Sequence, residues 1–153
     1  ISLAALKFFM IRVDARKRMT FDPAESVDMQ GQTGPYIQNA FVRIRSIQRK
    51  AEATPSEAGR DPYQLVQAER DLVGLMGTYR EVVMQAAAQY NPGLIANFCY
   101  QLAKEFHRYY HDYRILNAET LEARKVRMQL IARIADMLEA GMGLLGIQMP
   151  ERM

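Results

Sequence analysis

Cysteine, histidine and tryptophan are scarce in this 153-residue chain, which has one, two and none of them respectively. A lone cysteine excludes a disulfide framework or a zinc site built from several thiolates, and it indicates a reducing compartment. The chain also lacks an apolar run near the roughly 20 residues that a transmembrane helix needs, and its start lacks the basic region of a signal peptide. We therefore expect no membrane partner and a cytoplasmic location.

The motifs of common catalytic and metal sites are missing as well. His107 and His111 are spaced to share a helix face, but two ligands are too few for a metal and no His-Glu-x-x-His pattern occurs. Residues 31–34 (GQTG) lack the Lys-Ser/Thr of a P-loop. Cys99 stands between two aromatic residues and is expected in the core. We predict no catalytic residue, no metal site and no cofactor in this chain, and hence a binding or interaction module.

What the sequence does contain is mostly helix signals. Asp22 and Asn91 each precede a proline in a helix-capping pattern, and the Gly34-Pro35 pair predicts another helix start. Similar caps occur at Thr54 and Asp61, at the end of a predicted loop. The apolar period predicts helices over residues 35–50, 63–90, 91–113 and 119–140.

Glycines and an apolar stripe add detail to the predicted helices. Gly74 and Gly77 predict a break in the second long helix, and the glycines from Gly141 onward are expected to end the last one. A further helix is predicted at the start of the chain, because four apolar residues are spaced there as one helical stripe: Leu3, Leu6, Met10 and Val13. With no convincing strand, the fold class is all-α, a helical bundle.

The net charge of +3 is too small to indicate a nucleic-acid binder, but its distribution is uneven. Two helical stretches carry basic residues without intervening acids: Arg43, Arg45, Arg49 and Lys50 in the first, and Arg124, Lys125, Arg127 and Arg133 in the second. In the first stretch, Tyr36, Arg43 and Lys50 share one flank of the apolar stripe. Guanidinium groups beside an aromatic ring suit phosphates and stacked bases, although a solvated helix surface explains either stretch as well.

Residues 106–114 (FHRYYHDYR) form the densest aromatic segment of the chain. The helical period places Phe106, Tyr109 and Tyr113 on the buried side. Tyr110 and Arg114 fall at the edge of the stripe, where they can present a ring and a cation to a partner. A core role for most of these rings is the competing interpretation.

Four segments in order resemble the arginyl-tRNA synthetase family, which is class I: residues 6–23, 33–50, 91–116 and 143–153. They include LKFFMIRVD, RMTFDP, TGPYIQ and the ending PERM. The resemblance implies the C-terminal, helical anticodon-binding part of such an enzyme. Residues 1–30 would form a junction after an absent catalytic domain, and residues 31–153 the anticodon-binding domain. The lack of an initial Met, in a helix already under way, agrees with a fragment.

The resemblance also implies partners and roles. The parent enzyme would join arginine to its tRNA using ATP and Mg²⁺, and this fragment would bind the anticodon loop beside its own upstream catalytic domain, as a monomer. The implied tRNA-binding residues are Tyr36, Arg43, Arg49, Tyr110, Arg114, Arg152 and Met153. Met153 and Tyr110 would form an apolar base pocket, with Tyr36 beside it. Arg43 and Arg49 would hold phosphates. The alternative function is a helical protein-interaction or scaffold module.

Overall fold

The computed structural model describes residues 1–14, 16–52 and 62–153, and the regular elements in these ranges are all helices. They are α1 (Ser2–Ile11), α2 (Pro23–Ser26), α3 (Gly34–Glu52), α4 (Gln67–Gly77), α5 (Tyr79–Ala88), α6 (Gly93–Asp112) and α7 (Leu121–Leu144). The all-α prediction is therefore confirmed. The predicted caps at Thr54 and Asp61 lie outside the described residues. No helix of the described ranges combines the length and apolarity that crossing a membrane requires.

Short polar side chains fix several helix starts, as the sequence predicts. The carboxylate of Asp22 accepts hydrogen bonds from the backbone N–H groups of Ala24 and Glu25, at 2.8 and 3.1 Å. The side-chain oxygen of Asn91 accepts one from the N–H of Gly93 at 3.1 Å. These bonds satisfy N–H groups that have no partner inside a helix, so they favour the helix start at that residue.

The glycines behave in two ways. The predicted break after Gly74 and Gly77 is confirmed, because α4 ends at Gly77 and α5 begins at Tyr79. The predicted end of the last helix at Ala140 is wrong, since α7 runs through Gly141 to Leu144. Among the glycines expected to end the helix, Gly146 has the left-handed conformation, with φ of +68°, and it stands just past the end of the helix.

The core lies between α3, α6 and α7, which pack against one another. Phe41, Phe106 and Ile134, one from each helix, are fully buried. α5 packs on α6, α4 packs on both α6 and α7, and α1 packs on α3. α3 and α6 therefore lie side by side, with one flank of each facing solvent.

The predicted helix at the start of the chain is present as α1, but the predicted apolar stripe is not the face that packs on the core. Leu3, Leu6 and Met10 are 63%, 44% and 55% exposed, whereas Phe8 and Phe9 are buried. The segment SLAALKFFMI is apolar on almost every side, so its period does not select a face. Packing against α3 selects the face of Phe8, and the leucines remain in contact with solvent.

Candidate nucleic-acid interface

A row of aromatic rings lines the groove between α3 and α6 and begins at Tyr36. Its ring centroid lies 4.9 Å from that of His107 and 5.5 Å from that of Tyr100, both on α6. Close packing with α1 fixes this start of α3, because a Cβ on Gly34 would lie 2.6 Å from the carbonyl oxygen of Ala4. Tyr36 is half-buried, and this burial raises the pKa of its hydroxyl. The ring thus has a fixed edge at the surface.

Two turns further along α3, Arg43 meets Tyr110. The guanidinium carbon of Arg43 lies 5.3 Å from the ring centroid of Tyr110, within cation–π range. Tyr110 in turn stacks on the buried ring of Phe106, with centroids 5.9 Å apart and planes inclined by 28°. Tyr110 itself is 37% exposed. The prediction that Tyr36 and Arg43 share one flank of the apolar stripe is confirmed, since both contact rings of α6.

His107 lies between Tyr36 and Arg43 and is half-buried. Burial lowers the pKa of its imidazole, and the positive charge of Arg43 lowers it further. The ring is therefore neutral near pH 7. A neutral imidazole offers a surface for base stacking without repelling the neighbouring guanidinium.

Beyond Tyr110 an open pocket of about 340 Å³ continues the groove. Its lining residues are Ile47, Lys50, Tyr110, Tyr113, Arg114, Ile115, Leu116 and Asn117. Lys50 and Arg114 are exposed and add positive charge, while Ile47 and Ile115 supply a buried apolar floor. The pocket combines an aromatic wall, an apolar floor and cations, which is the combination that binds an unstacked base and its phosphate.

The end of the chain lies along the opposite flank of α3. The side-chain amide of Gln38 donates to the carbonyl of Gln148 at 2.9 Å, and a guanidinium N–H of Arg49 donates to the carbonyl of Glu151 at 3.4 Å. Arg49 therefore lies against the tail and not beside Tyr110. Arg152 and Met153 are exposed, and Met153 is not among the residues that line the pocket. The structure brings together Tyr36, Arg43, Tyr110 and Arg114 of the predicted set and leaves Arg49, Arg152 and Met153 on the tail side.

Behind the pocket is a polar cluster that the sequence did not reveal. Arg127, predicted in an exposed basic stretch, is 1% exposed and packed in the core. Its Nε donates to the buried carboxylate of Glu69 at 3.1 Å, and Nη1 donates to the carbonyl of Arg114 at 2.8 Å. The carboxylate of Glu119 accepts from both Nη atoms, at 2.8 and 2.5 Å. Glu69 lies 58 residues away in sequence, so local pattern could not find it.

Neither Cys99 nor His111 lines the pocket beside Tyr110. No group of three or more His, Cys, Asp or Glu residues there is placed to hold a metal ion. The thiol of Cys99 is buried, and this burial raises its pKa to about 12. His111 contacts Asp112 at the surface, with 2.9 Å between Nδ1 and Oδ1.

Similarity to known proteins covers the whole chain. Residues 37–153 match the DALR anticodon binding domain. The arginine–tRNA ligases of Phocaeicola vulgatus and Bacteroides fragilis are 42% and 43% identical to this chain, over 100% of the chain and 26% of each relative. The arginyl-tRNA synthetase structure of Thermus thermophilus superposes with a TM-score of 0.90 at 31% identity, over 99% of this chain and 26% of that one.

These relatives are nearly four times as long as the chain, which spans about a quarter of their length. The match covers all of this chain, so it includes both α3 and α6, whose groove carries the aromatic row. The chain belongs to the DALR anticodon-binding domain family, in the form that arginyl-tRNA synthetases carry.

Proposed function

We propose that this chain reads the anticodon loop of an arginine tRNA for an arginine–tRNA ligase of which it is one part. The observation that carries the proposal is the aromatic and cationic surface formed by Tyr36, Arg43 and Tyr110. Single-stranded RNA is recognised by rings that stack on splayed bases and by cations that hold the backbone. The groove between α3 and α6 supplies rings and a cation within two helical turns. Among the described residues, no carboxylate forms an ion pair with Arg43.

Each predicted residue takes a role in this proposal. Tyr110 stacks on a loop base beside the pocket, and Tyr36 presents its edge to a neighbouring base. Arg43 and Arg114 attract the phosphates on either side of Tyr110. The residues of the tail side, Arg49, Arg152 and Met153, close over the RNA from the other flank of α3. Arg49 contacts Glu151 and so holds the tail against α3. In this proposal its outer N–H groups also donate to a phosphate.

The rest of the proposed enzyme supplies the chemistry. In that enzyme ATP and Mg²⁺ serve to attach arginine to the tRNA, but the described residues hold no metal-binding cluster, and we assign none of them to either group. The exposed apolar residues of α1, including Leu3 and Leu6, suit a contact with the catalytic domain upstream. Residues 1–30 then form the junction, and residues 31–153 the domain that reads RNA. We propose a monomer that acts in the cytoplasm.

The direct test is binding to RNA. Fluorescence anisotropy compares the anticodon stem-loop of an arginine tRNA with the same stem-loop carrying another anticodon. We expect Tyr110→Ala to weaken binding about tenfold, because a stacked ring contributes roughly 1–3 kcal/mol per base. Tyr110→Phe keeps the ring and is expected to bind like the original chain. Tyr90→Ala, at a tyrosine that is 93% exposed in another part of the chain, is the matched control.

Phosphate contact has a different signature. Arg43→Ala should weaken the binding of both stem-loops. It should also make affinity less dependent on salt, since one fewer counterion is released. Arg80→Ala, at an exposed arginine on α5, serves as its control. Equal and very weak binding of the two stem-loops by the unchanged chain would refute the proposal and favour a scaffold for other proteins.

A further inference from the structure

The segment that links α6 to α7, residues 113–120, forms one wall of the pocket beside Tyr110. Five consecutive residues of this link, 113–117, line the pocket. Between its end residues Tyr113 and Thr120, which cap the two helices, the link has no regular secondary structure, so helix hydrogen bonds do not hold its shape. Side chains from elsewhere must do so.

Arg127 supplies those contacts from behind the wall. One guanidinium reaches both ends of the link, because it donates to the carbonyl of Arg114 at 2.8 Å and to the carboxylate of Glu119 at 2.8 and 2.5 Å. The guanidinium carbon also lies 5.4 Å from the ring centroid of Tyr113. These contacts join the link at its beginning, where it follows Tyr110, and at its end, where α7 starts.

The guanidinium is itself held in place by Glu69, whose carboxylate is fully buried. The same Oε1 atom that accepts from Nε of Arg127 at 3.1 Å accepts from the hydroxyl of Tyr109 at 2.8 Å. The ring of Tyr109 stacks on that of Tyr113, with centroids 5.0 Å apart. One carboxylate from α4 therefore fixes the last turn of α6 and the cation that fixes the link.

We propose that Arg127 is a positioning residue for RNA recognition, which sets the 113–120 link in its binding shape before the anticodon loop arrives. The inference rests on the proposed function of the groove. A wall that is ordered in advance spares the binding step the cost of ordering it. Arginine is needed because its planar fork reaches the carbonyl and two carboxylates at once, which the single ammonium of lysine does not.

The test separates positioning from general stability. Arg127→Lys keeps a positive charge for Glu69 and loses the fork. Glu119→Ala removes the exposed carboxylate at the end of the link and leaves the buried pair of Arg127 and Glu69 in place. Ile95→Ala is the control, since Ile95 is buried at the opposite end of α6 from Tyr110. We expect amide hydrogen exchange over residues 113–120 to accelerate in the first two variants, at a temperature where all three remain folded, and to stay unchanged in Ile95→Ala.

Binding supplies the second measurement. Affinity for the arginine anticodon stem-loop should fall about three- to tenfold in Arg127→Lys and Glu119→Ala. In a Tyr110→Ala background the further loss should be small, since the wall then has no stacked base to support.

Three outcomes overturn the inference. One is unchanged exchange over the link in both variants. Another is an affinity loss in Ile95→Ala equal to theirs, and the third is a full additional loss in the Tyr110→Ala background. If any of these occurs while Tyr110→Ala on its own still weakens RNA binding, the proposed function stands without a role for Arg127. If the unchanged chain does not discriminate between anticodons, the proposed function and this inference both fall.

Discussion

Gly141 marks a close approach between α7 and α6, and its replacement tests how tightly these helices pack. A Cβ at this position would lie 2.5 Å from Sγ of Cys99, and 3.7 Å from atoms of Ile95 and Tyr79. Gly141 and Cys99 are both buried. The sulfur is confined by the surrounding core, so Gly141→Ala forces a shift of α7 or of the thiol.

Two opposing terms set the size of the effect. Alanine in a helix interior is favoured over glycine by about 0.8–1.0 kcal/mol. Extra atoms in a well-packed core cost about 1–3 kcal/mol. The second term exceeds the first at the distance found here, so we expect Gly141→Ala to lower the free energy of unfolding by about 1 kcal/mol. For a chain of this length that corresponds to a fall in Tm of about 2–4 °C.

Urea and thermal unfolding followed by circular dichroism measure this difference. Gly74→Ala is the matched control. Apart from its two chain neighbours and the nearby backbone of α4, no heavy atom of the described residues lies within 4 Å of the Cβ it would add. It should raise stability, by up to about 1 kcal/mol. Cys99→Ala should make Gly141→Ala less harmful, since the added methyl group then occupies the space of the sulfur. The reasoning is refuted if Gly141→Ala stabilises the chain as much as Gly74→Ala does.

Three further outcomes follow from burial and backbone geometry. The thiol of Cys99, whose pKa is raised to about 12 by burial, should not react with a thiol reagent at pH 8 until urea unfolds the chain; prompt reaction would contradict its placement. Tyr90 has φ of +51° and is almost fully exposed, so Tyr90→Gly should raise Tm slightly by removing about 1 kcal/mol of backbone strain. Glu69→Ala leaves Arg127 without its buried partner and should lower the free energy of unfolding by about 3–5 kcal/mol. Glu122→Ala, at a glutamate in the first turn of α7, is the control and should cause no comparable loss.

Local chemistry made much of the fold predictable. The cap at Asp22, the start of α3 at Gly34 and the break near Gly77 depend on neighbouring residues alone, and all three are confirmed. α3 and α6 each bury one well-marked stripe, so their helical period also identifies the flank that faces solvent. The shared flank of Tyr36 and Arg43 is predictable for this reason.

The errors occur where distant contacts decide the outcome. In α1 the apolar residues surround the helix, so packing on α3 determined that Phe8 is buried and Leu3 exposed. Arg127 belongs to a basic stretch that is indistinguishable from a solvated surface until Glu69 of α4 is placed against it. Gly141 resembles a helix terminator, but it is needed for close packing on Cys99. A single sequence contains no record of these neighbours.

The structure also divides the cations of α3 into two kinds. Arg45 faces the carboxylate of Glu139 at 3.3 Å, and Arg49 lies 3.9 Å from that of Glu151. These arginines are partly neutralised on the flank that holds the tail. Arg43 instead lies over the ring of Tyr110, and a guanidinium against an aromatic face keeps its charge and its N–H donors for a phosphate. The arginine of α3 that has no carboxylate partner among the described residues therefore lies where the ring of Tyr110 is exposed. This arrangement supports the proposal that the groove attracts an RNA backbone and receives its unstacked bases.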